Sequence, residues 1–382
     1  MKTLKKSVLA MMLALAAGTA SADIAIGVTV SATGPGAALG APQRTTAELF
    51  PDSLAGHKIQ WILLDDATDP TQASRNVSKF LTQDKVDAVI GSSTTANTAA
   101  IVDAVVEART PLMALAPIDL PAEKSRWVFR MPQNNRVMGE ALVEHMKANG
   151  VKRLGIIGFA DVYGDLWLQA IEPLLKEAGI ELVASERFNR TDTSVMGQTI
   201  KIITSRPDAV LVVGGGTPAA LPHVTLNERG YRGQIYQTHG APSDAFLKVG
   251  GRNVEQGIFV AGPLLVWDQL PDGAATKDTI RQYVERYEGR FGKGTVSSFG
   301  GHMWDAWALL EDAIPRALKA AEPGTEAFRV ALRDALETAR EVVGVHGVYT
   351  MSPTDHFGHD RRSRVLIQVR DGKFELLSTA SH

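Results

Sequence analysis

Val86-Asp-Ala-Val-Ile-Gly-Ser-Ser-Thr-Thr-Ala-Asn-Thr-Ala-Ala100 passes from a β-branched run into a crowd of hydroxyls and then into an apolar stretch. Val86 to Ile90 predicts a buried strand, and Gly91 ends it. Ser92 to Thr98 then form one turn before a helix expected over Ala99 to Ala108. A turn between the end of a strand and the start of a helix suits a small anion. The first helical amides are free, and the helix dipole favours negative charge there. Hydroxyls add donors without fixing a counter-charge. The same residues would also serve as plain caps and solvated turn residues, so the context has to decide. The turn is expected to be one half of a carboxylate site.

Outward from this stretch, strands and helices alternate. Ile24 to Val30 is a strand and Ser31 to Gly40 a glycine-rich turn. Pro42 to Phe50 is helical, Lys58 to Leu64 a strand ending at Asp65-Asp66, and Thr71 to Gln83 a helix. Pro111 to Ala116 follows as a strand. The pattern restarts after Arg130, with strands expected at 154–158, 181–184, 209–213 and 234–238. This predicts an α/β chain of two Rossmann-like lobes with parallel sheets, covered by helices on both faces. Lobe 1 is expected over 23–132 and 265–342, lobe 2 over 133–264 and 343–382, joined by three crossover segments. Ligands on such sheets sit outside the carboxyl ends of the strands, which here would line a cleft between the lobes.

The ends and the composition narrow the classes. Lys2, Lys5 and Lys6 precede the apolar run Val8 to Ala17, and Ala20-Ser-Ala22 offers a small-residue cut. Residues 1–22 therefore read as a secretory signal peptide, and the mature chain is expected free in a bacterial periplasm. The chain has no cysteine, which excludes disulfides and cysteine-ligated metal. The formal net charge of −2 becomes more negative once three lysines leave with the leader, which argues against nucleic acid as a partner. No cofactor and no metal are expected, and the protein is expected to be a monomer.

The order and spacing of several short motifs resemble the type I periplasmic solute-binding proteins of ABC importers, in the leucine/isoleucine/valine-binding branch. They are Ile26-Gly-Val-Thr-Val-Ser-Ala-Thr-Gly-Pro35 with Gly40, Asp65-Asp-Ala-Thr-Asp-Pro70, Val86-Asp-Ala-Val-Ile-Gly91, Phe129-Arg130, Tyr163-Gly164, Glu255-Gln-Gly257, Trp304-Asp-Ala306 and Ser352 to Gly358. The resemblance implies hinge closure over a ligand and delivery to a membrane permease. It implies that Ser93, Thr94, Thr95 and Asn97, with Ala116, Ile118 and Asp119, hold the ligand carboxylate. It implies that Tyr163 closes from the second lobe, with Thr217 and His239 beside it. Arg130 reads as a structural anchor.

The departures point to the ligand. Amino-acid binders of this family hold the α-ammonium with an acidic residue where this chain reads Thr238-His-Gly-Ala-Pro242, and no carboxylate follows until Asp244. A buried ammonium without a counter-charge is costly. Two positions that carry aromatics in the leucine-type pocket are Leu39 and Gly216 here, which leaves room for a bulkier ligand. The expected ligand is a small carboxylate without an ammonium, an aromatic acid above all, with Tyr163, Phe159 or Phe299 packing on its ring. A branched-chain amino acid is the alternative within this class. Three other classes compete. Gly34-Pro-Gly36 with Asp65 resembles a dinucleotide fingerprint. Ser93, His239 and Asp161 could be imagined as a triad, and Asp355-His-Phe-Gly-His-Asp360 as a metal site, though three arginines follow it. A soluble sensor reporting to a signalling partner is the remaining alternative.

Overall fold

The computed structural model describes residues 23–379; the expected signal peptide lies outside them. Two sheets are built in sequence order. The first contains Ile24–Val30 (β1), Ser53–Leu54 (β2), His57–Asp65 (β3), Ala88–Gly91 (β4), Leu112–Ala114 (β5) and Val128–Arg130 (β6), in the order β2-β3-β1-β4-β5-β6. Apart from the short β2–β3 hairpin, its strands run parallel. β1 lies at the centre, Ile26 facing Trp61 on one side and Ala88 on the other, with every residue buried. Such a strand has no polar face because helices cover both sides of the sheet.

The second sheet contains Arg153–Phe159 (β7), Glu181–Phe188 (β8), Ala209–Val213 (β9), Gln234–Gln237 (β10) and Ile258–Ala261 (β11) in parallel. The chain later forms the short ladder Val342–Val343 (β12) with Val348–Tyr349 (β13), then Val365–Arg370 (β14) and Lys373–Thr379 (β15). β14 runs antiparallel to β11, and β15 to β14, giving the order β15-β14-β11-β10-β9-β7-β8. Asp371 and Gly372 make the β14–β15 turn with φ of 49° and 70°, as a two-residue turn with both central φ positive requires.

Three differences from the sequence reading bear on the site. The helix after β4 is Thr95–Glu107, four residues earlier than expected, because Thr94 caps it by accepting from the Asn97 amide. Asn97 and Thr98 thus belong to the first helical turn and not to the open loop. The second is at the lobe boundary: residues 263–270 stay with the second lobe, Leu264, Val266 and Leu270 packing with Phe259 and Ile367. The third is helix Lys277–Phe291, expected on the first lobe, which buries Ile280, Tyr283, Val284 and Tyr287 in that same cluster. It touches the first lobe through Tyr283, whose hydroxyl lies 2.9 Å from Thr46 Oγ1, and through Arg290, which donates to the Glu48 carbonyl. Helices Ser298–Ala317 and Glu326–Glu337 do pack on the first sheet, burying Met303, Trp307, Leu310, Phe328 and Leu332.

The third crossover is tied to the first lobe by a buried carboxylate. Asp305 accepts from the amides of Val345 (2.6 Å) and His346 (3.1 Å) and from the Tyr349 hydroxyl (2.9 Å). Gly40 lets helix Ala37–Ala47 lie close against the chain leaving β1: a Cβ there would stand 2.2 Å from the Ser31 carbonyl oxygen. Gly40→Ala is expected to cost about 1–3 kcal/mol, as overpacking against backbone does, read as a lower urea midpoint at unchanged m-value.

Candidate functional site

The strand-end turns of both sheets face one another across a largely apolar cavity, the kind of concave site where small ligands bind. From the first lobe it is lined by Leu39, by Ser93, Thr94 and Thr95, by Leu115 to Pro117 and by Pro132. Tyr163, Arg190, Gly215, His239 and Gly240 line it from the second lobe. Phe299 and His302, at the start of helix Ser298–Ala317, complete the wall. Leu39 and Gly216 meet across the cleft: a Cβ on Gly216 would lie 2.8 Å from Leu39 Cδ1.

Asp66 organises the hydroxyl-rich turn from beneath. Its fully buried carboxylate accepts from Ser92 Oγ (2.6 Å), Asn97 Nδ2 (2.8 Å), Ser31 Oγ (2.7 Å), Thr29 Oγ1 (3.3 Å) and the Thr68 amide (3.1 Å). Asn97 therefore points into the protein and not at the cleft, which corrects its expected contact with ligand. Two of the lining hydroxyls are committed as well. Ser93 donates to Gln43 Oε1 (2.5 Å) and accepts from the Ser31 amide (2.8 Å), and Thr95 donates to the Pro117 carbonyl (3.0 Å). Thr94 uses a lone pair to cap the helix, which leaves its proton free. What this turn offers an anion is the Thr94 O–H and the amides of Thr95 and Ala96, which begin the helix and have no intrahelical carbonyl to bond.

The second turn of the first lobe contributes less than expected. Ala116 lines the cavity, but Pro117 has no N–H to give. The Ile118 carbonyl accepts from Arg130 Nε (2.9 Å), and its side chain packs with Ala114 and Val128. Asp119 is exposed and away from the cavity. Arg130 is buried, donating also to Ser125 Oγ (2.9 Å) and the Val128 carbonyl (3.2 Å); burial pulls its guanidinium down to about 10. Thr217 starts a short 3-10 turn outside the lining, and Phe159 lies in the second-lobe core, beneath the site.

Tyr163 reaches the cavity from the first turn of helix Val162–Ala178, capped by Asp161. Its hydroxyl lies 2.9 Å from Thr238 Oγ1, which in turn donates to the Gly214 carbonyl (3.0 Å). Burial raises the Tyr163 pKa to about 12, so the phenol stays protonated. His239 and His302 differ from all of these. Both are buried, and no ring nitrogen of either has a hydrogen-bond partner.

Arg190 and His302 are polar lining residues that the sequence reading missed, as it missed the apolar Leu115 and Pro132 and the bare backbone at Gly215. Arg190 follows the end of β8. Its Nε donates to Asp161 Oδ2 (2.7 Å), and its guanidinium lies 4.0 Å over the Phe159 ring. The rule that ligands meet the carboxyl ends of strands would have flagged residues 189–192. His302 is one helical turn beyond Phe299, which was singled out, and positions three apart share a face.

The rival constellations are dispersed. Ser93 bonds Gln43 and not His239, while Asp161 is paired with Arg190. Asp65 is engaged by the glycine turn, accepting from Ala32 N (2.9 Å), Thr33 Oγ1 (2.6 Å) and Ala67 N (2.8 Å). In the tail turn, His356 stacks on Phe129 at 4.3 Å with Nδ1 near the Val128 carbonyl, and His359 Nε2 lies 2.9 Å from the Met131 carbonyl. Among the described residues no group of three or more acidic or histidine side chains is arranged to hold a metal ion. No described helix is long and apolar enough to cross a membrane.

A family model described as periplasmic binding protein matches residues 23–373. A solved extracellular ligand-binding receptor of Rhodopseudomonas palustris is 43% identical, with a TM-score of 0.92 over 94% of this chain and 100% of its own. An amino acid binding protein of Pseudomonas aeruginosa is 27% identical over 302 residues, 73% of this chain and 78% of that one. A solute-binding protein of an R. palustris ABC transporter, solved with benzoate, shares the fold at a TM-score of 0.80 and 20% identity, over 94% of this chain and 97% of its own. The two-lobe architecture and a match along nearly the whole described chain lead to one conclusion: the chain belongs to the periplasmic binding protein family.

Proposed function

We propose that the protein is the periplasmic capture component of an ABC importer, and that its lobes close on a small carboxylate, an aromatic acid above all. The observation that carries this is the charge of the cavity wall. Arg190 is its charged residue, and no carboxylate lines it. An α-ammonium would find no carboxylate in the wall, and the Arg190 guanidinium beside it is already paired with Asp161, so its burial would be costly. A carboxylate meets the free amides of Thr95 and Ala96 and the Thr94 hydroxyl on one side and Arg190 on the other. Asp244, the nearest acid in sequence to the second-lobe turn, begins helix Asp244–Gly250 and lines a different surface groove. Flat apolar surfaces from Leu39, Leu115, Pro132 and Phe299, with bare backbone at Gly215, suit a ring. Export through the expected signal peptide and a permease partner belong to the same proposal.

A thermal-shift panel on refolded, ligand-stripped protein tests it, with benzoate- and cinnamate-type acids set against leucine and valine. A ligand at a hundred times its dissociation constant stabilises the fold by about 2.7 kcal/mol. The acids are expected to shift the melting temperature and the amino acids to leave it unchanged. Arg190→Ala is expected to weaken acid binding about tenfold to a hundredfold, as losing a charge-assisted hydrogen bond does. A shift with leucine and none with any acid would overturn the reading.

A further inference from the structure

Both histidines in the cavity lack what buried polar groups almost always have. His239, after the end of β10, and His302, on a helix packed against the first sheet, are 5% and 4% exposed. Their four ring nitrogens have no hydrogen-bond partner. Their neighbours do not meet the need. His302 packs on His346 with ring centroids 4.3 Å apart, but His346 turns its Nε2 to the Ser298 carbonyl (2.7 Å). His239 lies against Trp167 (5.5 Å) and Tyr163 (6.3 Å), whose hydroxyl is held by Thr238. Both rings border the cavity, one from each lobe.

We propose that His239 and His302 form a latch that closes on a hydroxyl at the end of the ligand remote from its carboxylate. The proposal rests on the carboxylate reading above and adds a second recognition point to it. Burial pushes the His239 ring down to about 3 and that of His302 well below the ordinary imidazole value, so both are neutral at neutral pH. A neutral ring offers one N–H and one lone pair. A hydroxyl matches such a pair, because it accepts from one ring and donates to the other. A carboxylate only accepts, an ammonium only donates, and a bare ring edge does neither. One histidine belongs to each lobe, so the hydroxyl bridges the lobes and completes closure. An acid without it still binds the Thr94 turn but leaves the latch unmade.

Matched pairs test this: benzoate against 4-hydroxybenzoate, and cinnamate against 4-hydroxycinnamate. Affinity is measured by calorimetry and closure by the small-angle scattering radius. In at least one pair the hydroxy acid is expected to bind about tenfold to a hundredfold tighter and to give the smaller radius. His239→Phe and His302→Phe, which keep ring volume and remove the nitrogens, are each expected to bring the pair within about twofold. Should a variant fail to fold, histidine ring ¹⁵N shifts of the unaltered chain decide. The hydroxy acid moves both rings' resonances toward hydrogen-bonded values and its parent acid does not. Equal binding within both pairs, or a gap that survives both phenylalanine variants, overturns the latch alone. Binding of leucine and of no acid overturns the carboxylate reading and the latch with it.

Discussion

Replacing Asp66 with alanine is expected to cost about 3–5 kcal/mol of folding stability, the range for breaking a buried, fully engaged charge, and to abolish ligand capture. Five donors converge on this carboxylate, four from side chains and one from the Thr68 amide. Alanine removes all five acceptor contacts and leaves buried donors behind, each with its own desolvation penalty. The loss is also directional. Ser92 and Asn97 flank the residues that face the cleft, so freeing them disorders Thr94 and the amides at 95 and 96. Asp66→Asn keeps one acceptor oxygen and is expected to lose about half as much. Urea unfolding with an unchanged m-value checks the first number, and calorimetry with whichever acid binds the unaltered protein checks the second. A stability loss below about 1 kcal/mol, the worth of one ordinary hydrogen bond, would show that the network does not hold the turn.

A steep acid transition beginning near pH 6.5 is the other large effect. Burial holds His223 and His239 down to about 3, His346 and His359 to about 4, and His302 well below the ordinary value. Between those values and about 6.5 the unfolded chain binds protons that the native chain refuses. These rings therefore support the fold above pH 6.5, and the support is lost as pH falls toward 4. Asp305 works in the opposite sense. Burial raises it to about 7, against the hydrogen bonds from Val345, Tyr349 and His346. The native chain keeps its proton over a range where the unfolded chain has lost it, and that contribution disappears as pH rises through 7. Asp87 and Asp244, also raised by burial, add to it at the acid end. These histidine rings, with His145 and His356 also lowered by burial, outnumber Asp305, so unfolding takes up several protons near pH 5, each worth about 1.4 kcal/mol per pH unit. A stability of about 5–15 kcal/mol is then exhausted within roughly two pH units. Urea midpoints followed by tryptophan fluorescence from pH 7.5 to 4.5 measure this. His223→Gln, outside the cavity lining, is expected to flatten the slope by about one proton. A midpoint constant down to pH 5 would refute the account.

The architecture was readable because its signals are periodic and local. β1, β4 and β9 are buried at every position and, Thr29 apart, carry no polar side chain, as a strand covered on both faces requires. The turns that end these strands could be pointed at from the chain alone. What could not be read is which hydroxyls were already spoken for. Ser93, Thr95 and Asn97 look alike in sequence, and only the positions of Gln43, Pro117 and Asp66 reveal their prior engagements. Those partners are 20 to 50 residues away, beyond the reach of local pattern. Arg190 was missed for a related reason. It follows a strand whose burial is mixed, and an arginine in a polar loop reads as solvated until Asp161 and Phe159 are seen to fix it. Helix Lys277–Phe291 meets both lobes, which amphipathic spacing does not foretell: it tells that a face is buried, not against what.

The internal commitment of Ser93 and Thr95 divides the labour of recognition between scaffold and wall. The anion seat proposed for the first lobe is mostly main chain, set by a cap and a buried acid, and such a seat does not depend on the identity of the molecule attached to the carboxylate. Discrimination falls to side chains that carry no structural duty of comparable weight, Leu39 and Phe299 among them. Duplicated copies of such a gene could drift to new acids by altering these few positions while the seat stays as it is. A laboratory wishing to turn this chain into a family of sensors for different acids would follow the same route, varying the wall and leaving residues 92–98 untouched.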